Sequence, residues 1–102
     1  MQIHFERSGG FANIRVAGTV DTDTLPPEEA QALHELVTSV RFFELPSVLP
    51  AVPGGADRFQ YTVTVEEGDQ QHTVEIPESA ATGDFANLVG RLTVLARQRR
   101  DE

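Results

Sequence analysis

From Phe59 the chain alternates strictly. Phe59, Tyr61, Val63 and Val65 fall on one face of a strand, and Gln60, Thr62 and Thr64 on the other. Aromatic and β-branched residues dominate, with no proline or internal glycine, so this is the clearest strand in the sequence. Glu66-Glu67-Gly68-Asp69 supplies a hairpin turn. Gln71 to Ile76 returns, with His72, Val74 and Ile76 on one face, and Pro77 ends it.

The N-terminal third repeats the arrangement. Gln2 to Ser8 alternates with Ile3 and Phe5 on one face and His4 and Glu6 on the other. Ser8-Gly9-Gly10 is turn chemistry. Phe11 to Val20 resumes with Ile14, Val16 and Val20 inward and Asn13, Arg15 and Thr19 outward, which predicts a β-hairpin. Gly18 within the second strand predicts a bulge or a close backbone approach.

Two stretches change period. Leu33, Leu36, Val37 and Val40 fall at helical spacing over about 27–40. Asp21-Thr22-Asp23-Thr24 before them are capping types, Pro27 suits a first turn, and Glu28 and Glu29 suit the positive end of the dipole. His34 sits on the wet face, where solvation is the expected role. Phe42, Phe43 and Leu45 are expected to tuck under the domain. Phe85, Leu88, Val89, Leu92 and Ala96 make a second stripe over about 83–99; Val94 falls off it and is expected to be exposed or to touch a partner. The order is ββαββα. The expected fold is therefore α+β: a four-stranded, mostly antiparallel sheet with two helices packed on one face.

Length holds this to one domain spanning 1–102, with an apolar share of 39%, enough for a core. No apolar run nears the roughly 18 residues of a membrane span. The first residues lack a signal-peptide pattern, so a cytoplasmic location is expected, or export together with a target. There is no cysteine, which removes disulfides and thiolate chemistry. Sixteen acidic residues stand against eight arginines, a net of -8, which argues against nucleic acid and anionic membrane surfaces.

Candidate chemistry is sparse. His4, His34 and His72 show no metal-ligand spacing; His4 and His72 are on strands and could meet across a sheet, but no third ligand is evident. No nucleophile elbow occurs, and the acidic pairs fall in turns. These observations give no support to an enzyme and leave a binding module with two glycine-containing loops, Ser8 to Ala12 and Gly54 to Arg58. Both can equally be ordinary turns. The irregular segment from Ser47 to Ala56, stiffened by Pro50 and Pro53, is long enough for a functional loop.

Four segments carry a resemblance: Arg7-Ser8-Gly9-Gly10-Phe11-Ala12, Asp21-Thr22-Asp23-Thr24-Leu25-Pro26-Pro27-Glu28, Phe42-Phe43-Glu44-Leu45-Pro46, and Gly55-Ala56-Asp57-Arg58-Phe59-Gln60-Tyr61. In order and spacing they resemble the emfourin family, protein inhibitors of protealysin and other thermolysin-like zinc metalloproteases. The similarity runs from the N-terminus through about Val74. It implies a non-catalytic, reversible inhibitor of a bacterial protease that carries no cofactor itself; we expect it to block its target's active-site cleft through surface loops and to be a monomer when free. A non-inhibitory protein-binding or regulatory subunit is the alternative. Thermolysin-like enzymes favour a large apolar residue just after the scissile bond. One candidate contact is thus Ser8, Gly9, Gly10, Phe11 and Ala12, with Phe11 in that pocket; the alternative is that Phe11 packs in this domain's own core. A second is Gly54, Gly55, Asp57 and Arg58, with the two charged residues meeting groups in the cleft; the alternative is a local cap and ion pair.

Overall fold

The computed structural model describes residues 1–9, 15–54 and 58–100, without the side chains of 99 and 100. Four strands form a single sheet: β1 (Gln2–Gly9), β2 (Val16–Asp21), β3 (Phe59–Glu67) and β4 (Gln70–Pro77). Their order is β2-β1-β3-β4, and all three pairings are antiparallel. The two β1 neighbours, β2 and β3, therefore run in the same direction. A connection between parallel strands needs a crossover, and helix α1 (Pro27–Ser39) provides it. Helix α2 (Gly83–Arg100) follows β4.

Register puts the large apolar strand positions on the same face. Ile3 pairs with Val20 and Val65, Phe5 with Gly18 and Val63, and Val63 with Val74. These side chains join Leu33 and Val37 of α1 and Phe85, Leu88, Val89, Leu92, Leu95 and Ala96 of α2 in one buried cluster. Both helices thus cover one face of the sheet. The other face is polar: Thr64 and Thr73 share a hydrogen bond, and His4 bonds Thr19 and Glu66.

Gly18 makes the close approach expected of it, without a bulge. The β1–β2 register is continuous, and a Cβ built on Gly18 would lie 3.2 Å from the Ala96 Cβ. Phe42 is buried, and Phe43 and Leu45 pack partly against the core. Val94 is exposed.

Several local readings need correction. Asp21 does not cap α1. Its Oδ1 accepts from the Asp23 N–H and closes a separate 3-10 turn, Thr22–Thr24; Pro26 precedes α1 without a side-chain cap. Glu66 and Glu67 belong to β3, and the turn is only Gly68-Asp69, with Gly68 at φ 58°. The described part of the second strand begins at Val16; its expected start at Phe11 falls in residues 10–14, which lie outside those described. His4 and His72 cannot meet, because they lie on opposite faces. The His72 ring donates to the Leu45 carbonyl at 2.6 Å and meets Phe42 edge-on. His34 is not merely solvated: it lies 3.5 Å from Glu67 and 3.4 Å from the Thr22 hydroxyl.

Candidate functional site

One end of the sheet collects the two predicted loops. β1 and β3 run antiparallel, so the last residue of β1 lies beside the first of β3: Gly9 pairs with Phe59, and Ser8 with Gln60. The strand ends carry the loops, so the base of the β1–β2 connection touches the base of the loop preceding β3. The contact is tight. A Cβ on Gly9 would sit 2.7 Å from the Arg58 carbonyl oxygen, and Gly9 holds φ +95°, a left-handed conformation that glycine alone adopts cheaply.

The remainder of this end braces that junction. The Arg58 N–H donates to Glu78 Oε1 at 2.9 Å, and the Val52 N–H donates to Ser79 Oγ at 3.0 Å. Glu78 and Ser79 belong to a 3-10 turn, Glu78–Ala80, that follows β4. Beneath the junction the Arg7 guanidinium lies 4.5 Å over the Phe59 ring, a cation–π contact. The Arg7 Nε is buried with no hydrogen-bond partner among the described residues. Tyr61, the register partner of Arg7, stacks on Phe5. Burial raises the Tyr61 phenol above its ordinary pKa; the Glu78 carboxylate raises it further, and Arg7 opposes both.

Of the candidate contacts, Ser8, Gly9, Gly54 and Arg58 are described. Gly54 and Arg58 are exposed, and Ser8 and Gly9 are half-buried at the junction. Gly10, Phe11, Ala12, Gly55 and Asp57 lie outside the described residues. Sequence reasoning named each loop but did not foresee Glu78, Ser79 and Arg7 as their supports. A weak signal existed for Arg7, a charge placed on the apolar face of an alternating strand.

The surroundings offer little reactive chemistry. Among the described residues no group of three His, Asp or Glu side chains could hold a metal ion. No described helix is long and apolar enough to cross a membrane. The Ser39 hydroxyl donates to Asp84 and ties the end of α1 to the start of α2. This end presents two paired loop bases on a packed sheet, with Gly54 and Arg58 exposed.

Comparison with known proteins assigns the family. No curated protein sequence matches the chain. Among solved structures it is similar to Emfourin (M4in) from Serratia proteamaculans, an M4 family peptidase inhibitor, at 24% identity over 87% of both chains and a TM-score of 0.46. The Emfourin family model matches residues 5–93. The match takes in all of β2, β3 and β4, both loop bases and most of α2, and the chain belongs to the emfourin family.

Proposed function

We propose that this chain is a non-catalytic inhibitor of a thermolysin-like zinc metallopeptidase, and that it obstructs the enzyme's active-site cleft with the Gly9–Arg58 end of its sheet. Family membership carries the reading: the similar solved protein is an M4 family peptidase inhibitor. The convergence of two loop bases supports the choice of end. Loop bases held on paired strands lose little conformational freedom on binding. The zinc belongs to the enzyme, and the inhibitor contributes shape, main-chain hydrogen bonds and the charge of Arg58.

The test is a titration of purified thermolysin-like peptidases with the folded protein. Residual peptidase activity is followed after increasing preincubation. Dose-dependent loss that deepens with preincubation is the expected result. Full activity at large excess against several such enzymes would overturn the reading and favour a binding subunit that leaves catalysis untouched. Arg58→Ala is expected to weaken inhibition about tenfold, the effect of removing one well-placed charged contact at an interface. Unchanged inhibition by Arg58→Ala places the contact elsewhere.

A further inference from the structure

Exposed apolar side chains are informative when they gather on one segment. Among the described residues three large apolar side chains stand exposed: Val48 at 56%, Val52 at 48% and Val94 at 54%. Two of the three lie on one short segment. Between Leu45 and Gly54 the chain runs alongside β4 without forming a regular strand. It is pinned at four residues. The His72 ring donates to the Leu45 carbonyl, the Glu75 N–H to the Ser47 carbonyl at 2.8 Å, and the Leu49 N–H to the Glu75 carbonyl at 2.9 Å. The Val52 N–H reaches Ser79.

The pattern decides what faces outward. Val48 pairs with Glu75 in parallel sense, and the bonds to Glu75 come from the residues on either side of Val48. The N–H and C=O of Val48 therefore point away from β4. Pro46, Pro50 and Pro53 restrict the backbone around this position. The result is a short extended edge with one outward donor, one outward acceptor and two exposed valines. The described segment reaches Gly54, and Arg58, beyond residues 55–57, belongs to the loop end described above.

The geometry points to the segment 47–52 as a strand-like docking edge, and its occupant is the substrate cleft of the metallopeptidase. An endopeptidase holds its substrate as an extended chain, through main-chain hydrogen bonds and pockets for individual side chains. Val48 offers both kinds of contact at one residue, and Val52 adds apolar surface towards the loop. The prolines and the bonds to β4 hold the edge extended beforehand, which lowers the entropy lost on docking. This inference rests on the inhibitory reading and adds a third contact element to the two loops.

Three variants test it against a purified thermolysin-like peptidase that the parent inhibits: Val48→Asp, Val52→Asp and Val48→Pro. The last keeps an apolar side chain and leaves the Ser47 and Leu49 bonding groups in place; it removes the outward N–H and fixes φ at 48, which the melting temperature checks. Circular dichroism and melting temperature report folding, and Arg58→Ala serves as the loop control. The expected result is an inhibition constant raised about 10- to 100-fold by Val48→Asp and about tenfold by each of the others, as for central interface residues. Inhibition within about twofold of the parent for all three variants, with Arg58→Ala weakened, would overturn this inference and leave the inhibitory reading standing. A parent that inhibits none of these peptidases removes both together. If the free protein sediments as a dimer that Val48→Asp splits, with inhibition unchanged, the edge belongs to a second copy and the inference is wrong.

Discussion

Gly9 and Gly18 are both close to a neighbour, for different reasons, and substitution separates them. At Gly9 the backbone is left-handed and the Arg58 carbonyl oxygen occupies the place of a side chain. Gly9→Ala is therefore strained twice. It is expected to cost about 1–3 kcal/mol, read by denaturant unfolding, and to weaken inhibition because it parts the two loop bases. At Gly18 the backbone is ordinary and only space is short, with Ala96 Cβ at 3.2 Å and Cα at 3.4 Å. Gly18→Val is expected to push α2 off β2 and cost about 1–3 kcal/mol, with Gly18→Ala costing less. Tyr61 adds a pH term. Its pKa is raised in the folded chain, so folding holds the proton more firmly than the unfolded chain does. The resulting stabilisation is present below the ordinary value of 10.0 and fades as pH rises through the higher folded value. Melting temperature measured from neutral to strongly alkaline pH should therefore fall less steeply in Tyr61→Phe than in the parent. Gly18 was legible in sequence, because a glycine inside an alternating strand has few other uses. Gly9 was legible only as a turn residue; that it is the last paired residue of β1 depends on β3, far along the chain.

Among the elements, α2 shows what periodicity reveals and what it leaves out. Its buried stripe, with Leu88 and Leu92 fully enclosed, follows from spacing alone. Gly90 lies on the opposite side, exposed, where a Cβ would meet nothing within 4 Å. It borders an open groove of about 790 Å³ between the helices, lined also by Glu35, Leu36, Arg91 and Val94. A glycine in a helix interior is less favourable than alanine by about 1 kcal/mol, and nothing within this fold offsets that. Gly90→Ala should therefore raise the melting temperature by about 4–8 °C in a domain of this size. A lower melting temperature would mean that α2 needs flexibility at Gly90. The start of α1 was less legible. Asp21, Thr22 and Asp23 have the composition of a helix cap, but two prolines follow, and Pro26, without a side-chain cap, takes the position before the helix. The capping chemistry is used instead on the short turn before it, where Thr22 is buried and its N–H reaches the Met1 carbonyl. Composition alone does not distinguish a capped turn from a capped helix two residues later.

At the scale of the molecule, the sequence shows each hairpin but not how the two hairpins meet. Alternation specifies the inward face of every strand, and turn residues join β1 to β2 and β3 to β4. The β1–β3 pairing is set by long-range packing, as is the convergence of the two loops. Charge is a whole-molecule property that was legible from the start, and it has a consequence for stability. The net of -8 must be confined within the folded chain. Among the described residues, Arg15 lies 3.9 Å from Glu6 at an exposed site. Exposed pairs of this kind contribute little, about 0–1 kcal/mol each. Repulsion among sixteen carboxylates acts over longer distances and is larger in the compact state than in the unfolded one. Salt shortens its reach from about 30 Å at 0.01 M to about 10 Å at 0.1 M. Melting temperature at neutral pH should therefore rise as sodium chloride is increased across that range. A fall would mean that local ion pairs outweigh the net repulsion.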